Sequence, residues 1–240
     1  MEGPAEDRTQ HQTQRQETGM TGADGVAGPR EAAREAPGPA ASSAARFRGL
    51  TAVVTGAAAG IGAATAHRLA QEGAAVVAAD VDEQRGAEVV KEIRRSGGDG
   101  VFVRADVGSE DGWGRILESA HAYGAVVLVS SVHAHRGIPG HPAYAAAKGG
   151  LLSLSGQLTV EYGPEVRFNT VLPGPVLTGL WDRVPEDERE ASVAETAARR
   201  FGTPQEVASA IAYLASPEAS YVTGASLLVD GGWSVMKSSA

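Results

Sequence analysis

Tyr144 and Lys148 are the two side chains whose types and spacing best suit proton transfer. They lie at positions i and i+4 of a stretch, about Ala143 to Tyr162, that we predict to be a long helix, and this spacing places both on one face, about a turn apart. An ammonium close to a phenol favours the phenolate, which makes Tyr144 a usable proton donor and acceptor near neutral pH. Because Tyr-x-x-x-Lys often occurs by chance on helices, the pair alone is weak evidence.

Ser131 is a third candidate for chemistry. It follows Ser130 at the end of the apolar run Ala125–Val129, which predicts a buried strand. In open parallel sheets ligands bind at the carboxyl ends of strands, so we expect these serines to face a site. A loop rich in Gly, Pro and His then leads to the predicted Tyr144 helix.

A glycine loop lies far upstream of these residues, between an apolar run that begins at Leu50 and a helical stretch that ends at Gln71. The loop reads Thr-Gly-Ala-Ala-Ala-Gly-Ile-Gly, and its glycines are Gly56, Gly60 and Gly62. Glycines allow a tight turn and a close approach of the backbone to a ligand, and free N–H groups at a helix start favour an anion. An ordinary turn in an Ala/Gly-rich chain is the plainer explanation. The pattern nevertheless suits a pyrophosphate.

Asp80 strengthens the dinucleotide interpretation. It ends the next apolar run, Ala74–Ala79, about 18 residues after Gly62, close to the ~20 residues expected for a carboxylate that holds a ribose 2′-hydroxyl.

Strand-like and helix-like stretches alternate along the chain from Leu50. A helix is predicted over Asp82–Arg95, a strand over Val101–Val103, a helix after the capping residue Ser109, and a strand over Val166–Leu172. This alternation predicts an α/β fold with a parallel sheet and helices on both faces.

Composition limits the possible functions. The 240 residues can form one substantial core, and a formal charge of −8 argues against a nucleic-acid surface. The chain has no cysteine and no apolar run near the ~20 residues that span a bilayer, so we expect no membrane segment and a cytoplasmic protein. Residues 1–46 contain no Leu, no Ile and no aromatic residue, and we predict a disordered tail there, with the domain over residues 47–240.

From Leu50 onward the chain resembles the short-chain dehydrogenase/reductase family. The resemblance rests on the glycine loop, Asp106-Val107 after the third strand, Ser131 with Tyr-x-x-x-Lys, Pro173-Gly174, and a terminal Val-Thr-Gly…Val-Asp-Gly-Gly. The last part looks most like the bacterial branch that includes 3-oxoacyl-carrier-protein reductases. The family implies one domain with a three-layer, Rossmann-like, doubly wound parallel sheet.

The resemblance also implies an activity and a set of site residues. A secondary alcohol and a ketone would be interconverted by hydride transfer, with Tyr144 exchanging the proton, Lys148 assisting it and binding the nicotinamide ribose, and Ser131 binding the carbonyl oxygen. Asp80 would favour NAD over NADP, because its carboxylate repels a 2′-phosphate and no Lys or Arg lies in the glycine loop. Residues 179–200 would form the substrate lid. The cofactor-binding residues implied by the family are Gly56, Gly60, Ile61, Gly62, Asp80, Asp106, Val107, Lys148, Pro173, Gly174, Val176 and Thr178.

The chain departs from the family between the third predicted helix and the strand that carries Ser131. The family's Asn-Asn-Ala-Gly strand end and its helix with a catalytic Asn have no counterpart, and Asn169 is the only asparagine. A strand and a helix are missing, roughly 30 residues or more, which leaves six strands instead of seven. We expect the sheet to close by one strand spacing, about 4.8 Å, and to carry the Tyr144 helix toward the glycine loop. Because a shift of ~1 Å can cost ~10²-fold in rate, turnover would suffer.

Two functions from different classes remain, and so does a plainer explanation. One is an NAD-dependent oxidoreductase; the other is a catalytically impaired relative that binds a dinucleotide or a partner. A deletion in the gene or in its reading, leaving a poorly folding chain, is the plainer explanation. The missing helix belongs, in the family, to the main subunit interface, so the typical homo-oligomer is in doubt here.

A metal site is the last alternative, and we give it roughly one chance in ten, because the histidine cluster includes no carboxylate. The four histidines of that cluster are His121, His133, His135 and His141.

Overall fold

Strands and helices alternate along most of the computed structural model, which describes residues 45–119 and 124–236. The predicted α/β class is confirmed, and each strand and helix predicted between Leu50 and Leu172 is present with small shifts at its ends. In chain order the elements are β1 Thr51–Thr55, α1 Gly60–Gln71, β2 Ala75–Asp80, α2 Glu83–Arg95, β3 Asp99–Arg104, α3 Glu110–Glu118, β4 Ala125–Val129, α4 Pro142–Tyr162, β5 Arg167–Pro173, α5 Glu186–Ala194, α6 Pro204–Ala215 and β6 Ser226–Val229.

Polar side chains begin three of the helices. The predicted cap Ser109 accepts a hydrogen bond from the Gly112 backbone N–H at 3.1 Å, and Asp82 caps α2 in the same way. Thr203 and Glu206 form a reciprocal capping box at the start of α6. Such caps satisfy N–H groups that the first helical turn leaves unpaired.

Six parallel strands are present in the described part of the chain, the number predicted, but they form two sheets. The first sheet has the order β1-β2-β3 and the second has the order β4-β5-β6. In the first sheet Thr51 pairs with Ala75 and Asp80 with Arg104; in the second Val129 pairs with Val171. The centre of each sheet is the most buried part, as expected for strands covered on both faces.

The space between β1 and β4 stays open, so the expectation that the sheet closes by one strand spacing is wrong. The two strands are not hydrogen-bonded to each other, and with few exceptions their Cα atoms lie more than 8 Å apart. The helices explain this distance. α1 packs on β1 and α6 packs on the second sheet, and adjacent helices lie about 8–10 Å apart, which is about two strand spacings of ~4.8 Å.

Backbone groups of both strands point into this open space. The Leu50 carbonyl accepts from the Ala75 N–H, and the Ser130 N–H donates to the Val171 carbonyl. Because residues alternate in direction along a parallel strand, their neighbours face the other way. The N–H and C=O groups that face the opening belong to Thr51, Val53, Thr55, Ala125, Val127 and Val129.

Contact between α1 and α6 joins the two sheets on one face. Ala212 of α6 lies in the same buried cluster as Ala66, Leu69 and Ala70 of α1. The Arg68 guanidinium also donates to the Ser209 hydroxyl at 2.8 Å. Small side chains let the helices approach closely, and this contact holds the spacing between the sheets.

Arg46 extends the folded region toward the predicted tail. Its guanidinium binds the Glu72 carboxylate at 2.6 Å and Glu218 at 3.2 Å, and the neighbouring Phe47 is buried. Glu72, which is only 4 % exposed, also pairs with Arg68. The predicted disordered tail, residues 1–46, is therefore too long at its end, because Arg46 is held in place by these ion pairs. Residues 1–44 lie outside the described residues.

Among the residues that the structure describes, no helix is both long enough and apolar enough to cross a bilayer.

Candidate active site

The glycine loop joins β1 to α1 as predicted. Gly56 and Gly60 have φ of 65° and 55°, a left-handed backbone that suits glycine. A Cβ on Gly62 would lie 2.0 Å from the Gly56 carbonyl oxygen, so only glycine allows the helix to pack this closely on the loop. The N-cap residue Ala59 gives no side-chain hydrogen bond, and the first turn of α1 carries no acidic residue. The helix start therefore fits a pyrophosphate.

Asp80 is tied to the glycine loop. One carboxylate oxygen accepts from the Ala58 N–H at 2.9 Å, and the other accepts from the Asp82 N–H at 3.0 Å. The carboxylate is therefore fixed at the end of β2, beside the loop, where its charge faces any group bound there.

Asp106 and Val107 lie at the end of the neighbouring strand β3. Asp106 accepts from the Gly108 N–H at 2.8 Å, and Val107 leaves 48 % of its surface exposed. An exposed apolar side chain beside a fixed turn suits contact with a flat ring such as adenine.

Residues 173–178 form the loop at the end of β5. The Gly174 N–H donates to the Val229 carbonyl at 3.1 Å, and a Cβ on Gly174 would lie 2.7 Å from the Asp230 Cβ. Val176 is buried, and a Cβ on Gly60 would lie 3.4 Å from the Thr178 Cγ2. The loop after β5 therefore meets the glycine loop where Thr178 faces Gly60, and the predicted residue Ile61 packs against the buried cluster that contains Val176.

Lys148 is bound to the end of β4 at two points. Its ammonium Nζ donates to the Val129 carbonyl at 3.0 Å, and its own carbonyl accepts from the Ser130 hydroxyl at 2.7 Å. Burial lowers the pKa of Lys148 from its ordinary value. These contacts fix the register of α4 on the strand that carries Ser131.

Tyr144 lies one turn before Lys148, and the Lys148 ammonium is 5.6 Å from the centre of its ring. The residue remains 45 % exposed, whereas Ser131 is buried with its hydroxyl accepting from the His133 N–H at 3.3 Å. The phenol is thus open to a substrate on the side where β4 ends. The structure brings Ser131, Tyr144 and Lys148 together at the end of β4. In the sequence all three lie far from the glycine loop.

Asn169 does not supply the missing catalytic amide. It is fully buried on β5, where its amide donates to the Val222 carbonyl at 2.8 Å and its oxygen accepts from the Ala225 N–H at 3.1 Å. Both ends of the side chain connect β5 to the segment before β6, which is a structural role.

One histidine ring packs against Tyr144. His133 contacts Tyr144 edge-on with ring centres 5.1 Å apart, and it contacts His141 at 5.5 Å. His135 is exposed. Within the described ranges no three His, Cys, Asp or Glu side chains group as metal ligands, and His121 lies outside the described residues.

The predicted lid contains a 3₁₀ helix, Gly179–Arg183, and α5. Trp181 packs edge-on against Phe201 at 4.6 Å, and a cavity of about 450 Å³ lies under α5, lined in part by Leu177, Arg189 and Phe201. A cavity of about 630 Å³ lies between α2 and β3, beside Phe102, away from the residues discussed above.

Two features of this site were missed by the sequence analysis. The Val129 carbonyl, which binds Lys148, is a backbone group, and sequence does not reveal which way a strand carbonyl points. The ring contact between His133 and Tyr144 had a weak sequence indication, because His133 lies only two residues after Ser131, but it was grouped with the metal alternative.

The comparisons with known proteins agree with this geometry. Residues 50–123 match the family model described as short chain dehydrogenase, and residues 115–234 match the one described as enoyl-(acyl carrier protein) reductase. A cis-4-hydroxycyclohexanecarboxylate dehydrogenase of Sinomonas cyclohexanicum is 36 % identical, with 79 % of this chain and 98 % of that protein covered. The 3-oxoacyl-[acyl-carrier-protein] reductase of Escherichia coli K12 is 30 % identical, with 78 % and 98 % covered.

One solved structure is informative about the cofactor. A Beutenbergia cavernae protein assigned as an NAD(P)-dependent gluconate 5-dehydrogenase was solved with bound NADP at low occupancy. It is 30 % identical, with a TM-score of 0.71 and with 78 % of this chain and 97 % of that one covered.

Proposed function

The chain belongs to the short-chain dehydrogenase/reductase family, whose members interconvert alcohols and ketones with NAD(P), and we propose that it oxidises a cyclic secondary alcohol, or reduces the matching ketone, through Ser131, Tyr144 and Lys148. The relative that acts on a hydroxycyclohexane carboxylate supports the cyclic substrate.

The attachment of Lys148 to β4 is the observation that carries this proposal. Hydrogen bonds of 3.0 and 2.7 Å hold the lysine at the strand end, one helical turn from Tyr144. An ammonium fixed near a phenol favours loss of the phenolic proton, because it stabilises the phenolate charge. Ser131, on the same strand end, has a hydroxyl hydrogen to donate to the substrate oxygen.

The residues divide the proton chemistry between them. When bound, the nicotinamide supplies the hydride for ketone reduction or accepts it in alcohol oxidation. In reduction, Ser131 holds the carbonyl oxygen and Tyr144 gives its proton to that oxygen as the carbinol forms. In oxidation the phenolate of Tyr144 takes the hydroxyl proton back.

We further propose that NAD is preferred over NADP. The Asp80 carboxylate is fixed by the Ala58 and Asp82 N–H groups beside the glycine loop, where an adenosine ribose would lie. A 2′-phosphate there would meet a like charge. Because a relative was solved with bound NADP, the affinities of this protein for both cofactors must be measured.

The second candidate function is dinucleotide or partner binding without turnover. The absence of the family's catalytic asparagine favours it, since Asn169 is used structurally. The open space between β1 and β4 is consistent with a missing strand and helix. The sheet closure that we expected to slow turnover is not seen, because β1 and β4 belong to separate sheets.

Assembly and location also belong to this proposal. A small alcohol or ketone is the expected partner. From the composition of the chain we expect a cytoplasmic protein. The homo-oligomer that is common in the family would lack the helix of its main interface here.

Turnover of cyclohexanol with NAD⁺ or NADP⁺ tests the proposed function, followed through nicotinamide absorbance. Tyr144→Phe should abolish the reaction because it removes the exchanging proton and keeps the ring. Tyr221→Phe is the matched control, since Tyr221 is fully exposed. NADH binding without turnover of any cyclic alcohol or ketone would favour the second candidate.

A further inference from the structure

His133 occupies a defined place between the two proposed catalytic hydroxyls. It begins, with Val132, a 3₁₀ turn directly after Ser131, whose hydroxyl accepts the His133 backbone N–H at 3.3 Å. The imidazole then packs edge-on against the Tyr144 ring, with centres 5.1 Å apart, and against His141 on the other side. The ring is therefore in contact on two sides, with Tyr144 and with His141.

One of the two ring nitrogens of His133 lacks a partner. Nδ1 is buried and has no hydrogen-bond partner among the described residues, although the residue as a whole is only half-buried. A buried N–H without an acceptor is rarer and more costly than a buried lone pair. Burial, and then the charge of His141, lower the pKa of His133, so the ring is neutral at pH 7. The single ring proton is therefore assigned to Nε2.

We propose that His133 is a specificity-determining residue, whose Nε2–H donates to a second oxygen of the substrate. This inference rests on the proposed function, because it uses the same site. We place this second oxygen on a carbon next to the reacting one, because the His133 ring touches the Tyr144 ring. The preferred substrates are cyclic alcohols with a hydroxyl or carbonyl oxygen next to the reacting carbon.

Comparison of cis-cyclohexane-1,2-diol with cyclohexanol tests the inference. In the unmodified protein kcat/KM should be higher for the diol, and His133→Phe should lower it about tenfold for the diol, the scale of one neutral hydrogen bond, while cyclohexanol changes little. His133→Gln, which keeps an N–H donor, should recover part of the diol preference. His135→Phe, two residues along the same loop and exposed, should leave both substrates unchanged.

Two results would overturn the inference. One is an equal loss of kcat/KM for diol and cyclohexanol in His133→Phe, which indicates a packing role; the other is no loss for the diol. If the unmodified protein turns over neither alcohol, the proposed function fails, but the inference about His133 can still be tested by binding. Calorimetric binding of both alcohols to the protein with NAD⁺ then decides: tighter diol binding that His133→Phe removes supports the inference, and equal binding refutes it.

Discussion

The Lys148 ammonium donates a 3.0 Å hydrogen bond to the Val129 carbonyl, a group on the open edge of β4. A parallel neighbouring strand would normally supply an N–H to a carbonyl in this position. Lys148 thus stabilises an exposed strand end while lying within reach of Tyr144. The same amine thus has a structural contact and the chemical role that we propose for it.

Replacement of Lys148 by Met should therefore reduce turnover by about 10²-fold or more, because the stem remains and the positive charge 5.6 Å from the Tyr144 ring centre is lost. The melting temperature should fall by a few degrees as well, since the Val129 carbonyl loses its donor. Lys91→Met, at an exposed lysine paired with Glu88, is the control and should change neither quantity appreciably. Turnover that survives Lys148→Met would remove the lysine from the mechanism.

Amide hydrogen exchange should show which way the backbone of β1 and β4 faces. We expect fast exchange at Val53 and Val127, whose N–H groups face the opening, and slow exchange at Val54 and Leu128, whose N–H groups pair within their sheets. NMR at neutral pH measures the exchange rate of each backbone amide separately. Equal protection of all four would mean that the opening is closed in solution.

Cofactor preference should change when Asp80 loses its charge. Asp80→Asn keeps an oxygen to accept one backbone N–H but removes the repulsion of a 2′-phosphate, so the ratio of NADH to NADPH affinity should fall by about tenfold. Glu83→Gln makes the same charge change at an exposed position nearby and should leave the ratio unchanged. Fluorescence titration measures both cofactors, and tighter NADPH than NADH binding in the unmodified protein would contradict the assignment.

Arg46→Met should lower the free energy of unfolding by about 1–3 kcal/mol, because it leaves the buried Glu72 carboxylate with Arg68 as its remaining ion-pair partner. Arg48→Met is the neighbouring control, at an exposed arginine. Denaturant unfolding measures both. An effect no larger than that of the control would show that the pair contributes nothing to stability.

Stability should also depend on pH through Glu72. Burial alone would raise the pKa of Glu72, but hydrogen bonds from Arg46 and Arg68 hold it below its ordinary value of 4.5. The folded state thus binds this proton less readily than the unfolded state, so the contribution is present above about pH 4.5 and is lost as pH falls through the folded pKa. Glu72→Gln should flatten the acid side of the stability profile, measured by denaturant unfolding at a series of pH values, and Glu165→Gln, at an exposed glutamate, is the matched control.

Local patterns predicted the elements well because each was determined by its own residues. The glycine loop, the Ser109 cap and the apolar strand runs all act over a few positions, so β1 through β5 followed from them. The spacing between the sheets could not be predicted, because it depends on how α1 and α6 pack against each other. The expected closure considered only the unpaired backbone of the strands and left out the width of the helices above them.

In the candidate site too, what depends on local sequence could be predicted and what depends on packing could not. Ser131, Tyr144 and Lys148 were identified from residue type and spacing, and the structure gathers them at the end of β4. The position of His133 required coordinates, because its ring could turn toward Tyr144 or toward solvent in a flexible loop. The unpartnered Nδ1 is a property of the packed site alone.

The contact between α1 and α6 also determines how the molecule comes apart. Backbone hydrogen bonds run within each sheet and not between β1 and β4, so side-chain contacts carry the coupling across the opening. These contacts include the packing around Ala66, Ala70 and Ala212, the Arg68–Ser209 bond and the Arg46–Glu218 ion pair. Loss of these contacts would leave two hydrogen-bonded units, each still internally complete. Cooperativity of unfolding in this protein is therefore a property of a helix interface and not of a continuous sheet.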